Sequence, residues 1–179
     1  MRIIAGSLGG QTISEPHGHK THPMSEKVRG ALFNILGDVE GLTFLDAFAG
    51  SGALAIEAIS RGAKHVVAVD QDKAAHSVLD KNVSEHRLQK QIDAVRANTG
   101  GWSIHNMERK FDIVLLDPPY DDLQESLLQK LIARHVKKAG LAVLSCPGKY
   151  AAPEFDKTEI AAEKSYGDAK LVFYLKKGK

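Results

Sequence analysis

Cysteine is nearly absent from this sequence, and long apolar runs are missing. Cys146 is the single cysteine among 179 residues, so it forms no internal disulfide and belongs to no cysteine-based zinc or redox centre. No apolar run approaches the ~18 residues that span a bilayer, and residues 1–20 lack the pattern of a signal peptide. We therefore expect a cytoplasmic protein with no membrane partner and no metal site.

Proline and aromatic residues are scarce as well, with six prolines and 6% aromatics. Sixteen scattered glycines, 43% hydrophobic residues and 26% charged residues exclude a collagen-like or disordered chain. The length suits one domain, because ~100 to 200 residues per domain is usual. We expect a single domain over residues 1–179.

The amino-terminal segment has its own organisation. The strings RIIAG and QTIS around the turn SLGG predict a small hairpin, and after a loop Ser25 can cap a helix that ends at Gly37. We expect residues 1–40 to form an extension of hairpin and helix packed on a sheet, and residues 41–179 to form the main core.

Charge is distributed unevenly, although the net charge is only +2. Residues 1–29 carry +2 and residues 164–179 carry +4, which leaves −4 for the middle of the chain. Basic ends on an acidic body favour docking to a polyanion, because Lys and Arg contacts to phosphate dominate nucleic-acid affinity. A solvated, solubilising tail is the alternative. The candidate RNA contacts are Arg2, His22, Lys27 and Arg29.

Strand and helix patterns alternate from about residue 42 onward. Short apolar runs, typical of buried parallel strands, occupy 43–46, 65–70, 92–97, 111–117 and 141–146. Helical stretches lie between them at 53–61, 73–86 and 123–138, with Gly140 as the stop signal of the last one. This alternation predicts a doubly wound α/β sheet, in which ligands bind at the carboxyl ends of the strands.

The carboxyl-terminal segment departs from that alternation. Strand patterns at 158–163 and 170–177 are joined by turn residues Gly167 and Asp168. They predict an antiparallel edge, which brings the sheet to seven strands that are mostly parallel.

Residues 46–57 (DAFAGSGALAIE) run from the first strand through a glycine-rich turn into a helix. Gly50 and Gly52 allow a ligand to approach the backbone, and the helix N-terminus offers unpaired N–H groups. The spacing also fits the dinucleotide fingerprint, so the glycines do not choose between NAD and S-adenosylmethionine. Asp46 favours S-adenosylmethionine, because a carboxylate there would repel a pyrophosphate and attract an ammonium or sulfonium. A turn needed only for packing is the alternative.

Polar residues follow the next two strands. Asp70 ends the second strand, where its carboxylate can accept hydrogen bonds from two ribose hydroxyls. Asp72 competes for that role but comes two residues later. After the third strand, Asn98 or Thr99 is a candidate to meet the adenine amino group. The complete predicted cofactor site comprises Asp46, Ala47, Gly50, Ser51, Gly52, Asp70, Gln71, Asn98 and Thr99.

A second motif, Asp117, Pro118, Pro119 and Tyr120, follows the fourth strand directly. The prolines cannot extend a central strand, so they form a rigid loop with free carbonyl groups. An exocyclic amine of a nucleobase is a poor nucleophile and needs activation. Asp117 and the Pro118 carbonyl can supply it by accepting hydrogen bonds from the two N–H groups of the amine. Tyr120 can stack on the base. A Pro-Pro turn that merely ends the strand is the structural alternative.

Together with the amino-terminal segments, these motifs resemble the RsmD family of bacterial small-subunit ribosomal RNA guanine-N2 methyltransferases. The resemblance covers nearly the whole chain and rests on MRIIAGSLGG, PMSEKVRGALFNIL, FLDAFAGSGALAIEAISRGA, FDIVLLDPPY and a late YG. Many amino-methyltransferases share the glycine-rich and DPPY motifs, whereas the amino-terminal segments are more specific. The chain departs from the family pattern at Gln11, His22 and Gly30, where Arg, Arg and Glu are usual, and at Asn98 and Thr99, near which an Asp is common.

The resemblance implies a Rossmann-like class I fold and transfer of a methyl group from S-adenosylmethionine to the N2 amine of a guanine. The implied substrate is small-subunit ribosomal RNA, naked or in an assembled particle, and we expect a monomer. The family pattern places Asp46, Gly50 and Gly52 around the methionine part, Asp70 on the ribose, and 117–120 at the target amine. The alternatives are an adenine-N6 methyltransferase on DNA or another RNA, an NAD-binding oxidoreductase, and a non-catalytic RNA-binding protein.

Overall fold

A seven-stranded sheet forms the centre of the computed structural model, which describes residues 1–17 and 23–178. Its strands in chain order are β1 (Thr43–Asp46), β2 (His65–Asp70), β3 (Ile92–Arg96), β4 (Phe111–Leu116), β5 (Val136–Pro147), β6 (Thr158–Tyr166) and β7 (Ala169–Lys176). They lie side by side in the order β3-β2-β1-β4-β5-β7-β6. Strands β1 to β5 are parallel, whereas β7 is antiparallel to both β5 and β6. The predicted seven-stranded, mostly parallel sheet is confirmed, with β6 as the outer strand of the edge hairpin.

Five helices accompany the sheet within the described residues: α1 (Glu26–Leu36), α2 (Ala53–Ser60), α3 (Lys73–Glu85), α4 (Thr99–His105) and α5 (Glu125–His135). Helix α1 begins where the sequence predicts, because the Ser25 hydroxyl accepts a hydrogen bond from the Val28 N–H at 3.2 Å. It ends at Gly37, whose φ of 74° suits glycine. The predicted helices at 53–61 and 73–86 are confirmed, and each ends one residue earlier than expected.

The prediction for the last helix is wrong at its carboxyl end. Helix α5 stops at His135, and Gly140 lies inside β5 instead of ending the helix. The helical pattern of residues 136–138 is overridden because Val136 pairs with Phe111 of β4. Tertiary pairing outweighs local propensity here, as it often does.

Helix α4 is missing from the sequence prediction, because two glycines near its start weaken the helical pattern. The Asn98 side chain compensates for them by accepting a hydrogen bond from the Gly101 N–H at 3.1 Å. Trp102 then packs against the rings of Phe111 and His135, with centroids 6.4 Å and 5.1 Å away. Burial of that indole explains why the helix forms.

The N-terminal strap, defined as residues 1–17, is held both by its own pairing and by a helix. The predicted hairpin is present as one antiparallel bridge between Arg2 and Thr12, with three backbone hydrogen bonds around it, such as that from the Ile3 N–H to the Gln11 carbonyl at 2.9 Å. The buried carboxylate of Glu57 on α2 accepts the backbone N–H groups of Ile4 at 2.8 Å and Ala5 at 3.1 Å. The strap therefore packs on α2.

The core has two layers, one on each face of the sheet, because alternate residues of a strand point to opposite faces. Phe44 and Ile113 belong to the layer that contains the strap and α1 to α3, whereas Leu45 and Val114 belong to the layer under α4 and α5. The sheet order turns at β1, which lies between β2 and β4. Ligands bind at such a switch point, outside the carboxyl ends of the strands. No helix in the described part of the chain is long and apolar enough to cross a bilayer.

Candidate active site

A cavity of about 1280 Å³ opens at the carboxyl ends of β1 to β4. It exceeds the ~300 to 1,000 Å³ usual for one small ligand, so it has room for a second group beside a cofactor. Most of the predicted cofactor and catalytic residues line it: Ala47, Gly50, Ser51, Asp70, Gln71, Asn98, Thr99, Asp117, Pro118, Pro119 and Tyr120. Asp46 and Gly52 are not among the lining residues.

The two glycines of the turn have different tasks. Gly50 has a φ of 56°, and a Cβ there would meet nothing within 4 Å, so this position leaves open space beside the cavity. Gly52 has a φ of 90°, and a Cβ there would lie 2.5 Å from Leu79 Cδ1. The predicted ligand contact of Gly52 is therefore replaced by a packing role at the start of α2.

Asp70 is oriented by the backbone around it. One carboxylate oxygen accepts the Gly50 N–H and the other accepts the Asp72 N–H, both at 2.9 Å. Each oxygen keeps a further lone pair for a hydroxyl donor. The Asp72 carboxylate caps α3 by accepting the Ala75 N–H at 2.9 Å. This geometry favours Asp70 over Asp72 as the residue that meets a ligand.

The residues after β3 connect neighbouring loops. The Asn98 amide donates to the Gln71 side-chain oxygen at 3.1 Å and thereby joins the loops after β3 and β2. The buried Thr99 hydroxyl donates to the Ala47 carbonyl at 2.6 Å. Since the only Thr99 hydroxyl proton is used in this bond, a ligand would have to meet Thr99 by other atoms.

Asp46 lies fully buried at the end of β1. Within the described residues, neither oxygen of its carboxylate has a hydrogen-bond partner. Burial, together with the nearby carboxylates of Asp117 and Asp70, raises the pKa of Asp46 to about 8. The backbone N–H groups of Phe48 and Ala55 oppose the rise because they lie near the carboxylate, although neither meets hydrogen-bond geometry with it. A cation beside this carboxylate would favour its ionised form.

The DPPY loop presents acceptors and an aromatic ring to the same cavity. In the part of the chain that the structure describes, no donor contacts the Pro118 carbonyl. Burial raises the pKa of Asp117 to about 6, and the nearby Ser145 hydroxyl opposes that rise. The hydroxyls of Tyr120 and Ser145 are hydrogen-bonded at 2.8 Å, while 41% of Tyr120 remains exposed. The Tyr120 ring can therefore stack on a base, and the Asp117 carboxylate and the Pro118 carbonyl can accept hydrogen bonds from its N–H groups.

The sequence did not predict Ser145 as a site residue, because it lies within an apolar strand. It is 2% exposed on β5, and the pairing of Leu116 with Leu144 places it beside the residue that follows β4. A single polar residue in the run LAVLSC was the only available signal.

The four residues predicted to contact RNA differ in their exposure to solvent. Arg2 and Lys27 are exposed, and His22 lies outside the described residues. The prediction that Arg29 contacts RNA is wrong, because its side chain is 0% exposed. Helical spacing directs it inward, where its Nε lies 3.3 Å from a Glu57 oxygen and its Nη2 donates to the Arg2 carbonyl. Arg29 therefore holds the amino-terminal segment to α2.

The far side of the cavity comes from both ends of the chain. His17, Met24 and Ser25 line it from the amino-terminal side, and Tyr166 and Asp168 line it from the turn between β6 and β7. Over residues 1–17 and 23–178, no group of three or more His, Cys, Asp or Glu side chains is arranged to hold a metal ion.

Comparison with known proteins identifies the family. A family model described as "Conserved hypothetical protein 95", which represents the RsmD methyltransferases, matches residues 1–175. The chain belongs to the RsmD family. The resemblance found in the amino-terminal and DPPY segments is thereby confirmed.

Three relatives illustrate the similarity of RsmD-family members to this chain. YlbH of Bacillus subtilis (strain 168) is 32% identical over 185 residues, which cover 99% of this chain and 100% of YlbH. Ribosomal RNA small subunit methyltransferase D of Escherichia coli (strain K12) is 34% identical over 134 residues, or 74% of this chain and 65% of that protein. The solved structure of Escherichia coli yhhF, at 27% identity, matches with a TM-score of 0.88 over 100% of this chain and 99% of its own. The fold is the Rossmann-like class I methyltransferase fold.

Proposed function

We propose that this RsmD-family chain methylates the exocyclic N2 amine of a guanine in small-subunit ribosomal RNA, with S-adenosylmethionine as the methyl donor. The name of the Escherichia coli relative, ribosomal RNA small subunit methyltransferase D, supports the choice of RNA. One observation carries the chemistry: a buried acid without a hydrogen-bond partner among the described residues, Asp46, lies close to Asp117, which lines the cavity beside the free carbonyl of Pro118. We further propose that the chain acts as a cytoplasmic monomer, on naked RNA or on an assembled particle.

The residues around β1 and β2 fit this cofactor. The unpartnered Asp46 carboxylate suits the positive charge of an ammonium or sulfonium, and the open space at Gly50 lets a ligand approach the backbone. The Asp70 carboxylate suits the hydroxyls of a ribose. S-adenosylmethionine supplies, when bound, an electrophilic methyl group.

The DPPY loop supplies what an amine acceptor needs. Asp117 and the Pro118 carbonyl accept hydrogen bonds from the two N–H groups of the target amine. These two bonds orient the amine so that its lone pair points toward the methyl group. Tyr120 stacks on the base and keeps it in place, a contact worth about 1 to 3 kcal/mol. Fixed positions of the two reactants supply much of the acceleration in such a transfer.

Asp117 also accounts for the charge that develops on the amine. With a pKa of about 6, its carboxylate is mostly ionised at neutral pH. Its hydrogen bond with the amine therefore strengthens as the nitrogen becomes positive, and Asp117 or a water molecule receives the released proton. The residue stabilises the transition state more than the ground state, which is what accelerates a reaction.

The proposal is tested by incubating the protein with small-subunit ribosomal RNA and with assembled small-subunit particles, each with radiolabelled S-adenosylmethionine. Mass spectrometry of the digested RNA should find N2-methylguanosine. N6-methyladenosine instead would replace guanine by adenine as the target, and no transfer to either substrate would overturn the proposal. Parallel reactions with DNA distinguish the class of nucleic acid.

A further inference from the structure

Asn82 of α3 is a fully buried amide that joins two segments distant in the sequence. Its Oδ1 accepts the Ser14 N–H at 2.9 Å. Its Nδ2 donates to the Ser14 carbonyl at 3.0 Å and to the Ser51 carbonyl at 2.9 Å. Both amide protons are used, and the opposite amide orientation would place its NH₂ group against the Ser14 N–H. The hydrogen-bond network therefore allows one orientation.

The two joined segments belong to different parts of the cavity. Ser51 lies in the turn between β1 and α2, which we call the cofactor turn (residues 47–52), and it lines the cavity. Ser14 lies in the N-terminal strap, three residues before His17, which lines the cavity on the side of Met24 and Ser25. Asn82 thus connects the turn that the proposed function assigns to the methyl donor with the strap that leads to His17, which lines the cavity together with Met24 and Ser25.

We infer that Asn82 is a positioning residue that fixes the cofactor turn relative to the N-terminal strap, so that cofactor and target RNA bind cooperatively. This inference rests on the proposed function. Asn82 itself does not line the cavity, so its effect passes through Ser14 and Ser51. An apolar residue of the same size would leave one N–H and two carbonyls without partners, which is costly for buried groups.

Ser60 of α2 provides a matched control, because it holds the same strap at another place. Its buried hydroxyl donates to the Ala5 carbonyl and accepts the Leu8 N–H at 2.9 Å. Among the described residues, its hydrogen bonds reach the strap and none reaches the cofactor turn. Loss of the Ser60 hydroxyl should therefore weaken attachment of the strap without separating it from the turn.

The first test measures the affinity for small-subunit ribosomal RNA with and without saturating S-adenosylhomocysteine. In the wild type we expect the RNA to bind at least roughly fivefold more tightly with this product present, the lower end of usual coupling. In Asn82→Asp, which keeps the acceptor but loses both amide donors, and in Asn82→Ala, the ratio should fall toward one. Ser60→Ala should keep the wild-type ratio even if its melting temperature falls.

A second test needs no variant and therefore does not depend on folding of a mutant. Hydrogen exchange of the wild type is compared with and without S-adenosylhomocysteine. Protection should increase at the Ser14 amide, whose N–H Asn82 accepts, and should change little at the Ile4 and Leu8 amides, which Glu57 and Ser60 accept. Equal changes at all three amides, or no change at Ser14, would overturn the inference.

The outcomes separate this inference from the proposed function. If both S-adenosylhomocysteine and RNA bind but the coupling ratio is the same in the wild type and the Asn82 variants, the positioning role is wrong and the function stands. A coupling ratio of one in the wild type would likewise contradict the positioning role of Asn82 and leave the proposed function in place. If S-adenosylhomocysteine does not bind at all, both proposals fail.

Discussion

At the scale of single residues, two carboxylates at the ends of neighbouring strands are removed from water, Asp46 completely and Asp117 in part. They differ in the groups that offset this loss of hydration. Asp46 has no hydrogen-bond partner within the described residues, and its pKa rises to about 8. Asp117 lies near the Ser145 hydroxyl, and its pKa rises only to about 6. At neutral pH the free protein therefore keeps Asp46 mostly protonated and Asp117 mostly ionised. A cationic cofactor would reverse the state of Asp46, whereas Asp117 is ready to accept a proton.

Asp46→Asn should stabilise the protein while it impairs cofactor binding. A carboxyl with a raised pKa contributes stability that is fully present below its unfolded value near 3.8 and is lost as the pH rises toward 8. The variant should therefore gain about 1 to 3 kcal/mol over the wild type in urea unfolding at pH 8, and much less at pH 5. Calorimetry should show weaker S-adenosylhomocysteine binding.

The exposed Asp156 supplies the control for this prediction. Asp156→Asn should leave both the stability difference between pH 5 and pH 8 and the cofactor affinity as in the wild type. An equal gain of Asp46→Asn at both pH values would contradict the assigned protonation of Asp46.

Asp117→Asn should lower the single-turnover rate of methylation by roughly 100- to 10,000-fold, the usual contribution of a proton-accepting group, with nearly unchanged affinity for S-adenosylhomocysteine and RNA. The wild-type rate should rise with pH through about 6 as Asp117 ionises, and the variant should lack this rise. Tyr120→Ala should lower RNA affinity as well, because stacking acts before and during transfer. A near-normal rate for Asp117→Asn would leave the DPPY loop as a strand-ending turn.

At the scale of elements, the ends of helices depend on partners from distant strands. Lys176 of β7 caps the carboxyl end of helix α5. Its Nζ donates to the carbonyls of Ala133 and Val136 at 2.8 Å each and to that of Ile132 at 3.3 Å. A cation at a helix C-terminus satisfies the last carbonyls and opposes the helix dipole. This lysine, which the charge distribution groups with the basic tail, therefore has a structural task.

Lys176→Met should cost about 1 to 3 kcal/mol of unfolding free energy, because it keeps the apolar stem but removes the lysine donor from the carbonyls of Ala133 and Val136. The Ile132 carbonyl still accepts the Val136 N–H. Urea unfolding at neutral pH measures the loss. Lys177→Met, at the adjacent exposed position, should change the stability by less than about 0.5 kcal/mol. Equal stability of the two variants would show that water replaces the Lys176 amine at no cost.

At the scale of the whole molecule, the amino-terminal extension is tied to the sheet domain by buried charge. Glu57 accepts hydrogen bonds from Arg29 at 3.3 Å and from Arg61 at 2.9 Å, in addition to two backbone N–H groups of the strap. Removal of one partner from such a group leaves an uncompensated buried charge. The extension therefore joins the fold through Arg29 and presents Arg2 and Lys27 outward.

Substitutions on α1 should distinguish RNA binding by the exposed Lys27 from attachment of the amino-terminal extension by the buried Arg29. Lys27→Glu should lower affinity for small-subunit ribosomal RNA and flatten its salt dependence by about one unit of slope per lost phosphate contact, without loss of stability. Arg29→Ala should instead cost about 3 to 5 kcal/mol of stability. Lys64→Glu, on an exposed lysine just before β2 and so at the opposite edge of the sheet, is the control. An unchanged salt slope for Lys27→Glu would mean that the phosphates bind elsewhere.

The sequence by itself determined the sheet, the order of the motifs and the family. Apolar runs such as 43–46 and 65–70 match strands β1 and β2 residue for residue, because a strand buried on both faces requires a continuous apolar stretch. The glycine-rich turn and the DPPY loop also follow from local chemistry, since positive φ at Gly50 and the lost N–H groups of two prolines constrain the backbone wherever they occur.

Only the tertiary structure decided which polar groups meet. The bond between Asn82 and Ser14 joins residues 68 apart, and those of Arg29 with Glu57 and of Tyr120 with Ser145 join residues 28 and 25 apart. No local period records such pairs, so Arg29 resembled a surface charge and Ser145 an ordinary strand residue. The end of α5 was decided in the same way, by the pairing of Val136 with Phe111 of β4 and by Lys176 from the last strand. Local patterns fix where the chain extends or turns, whereas burial, which sets partners and pKa values, exists only after distant elements pack together.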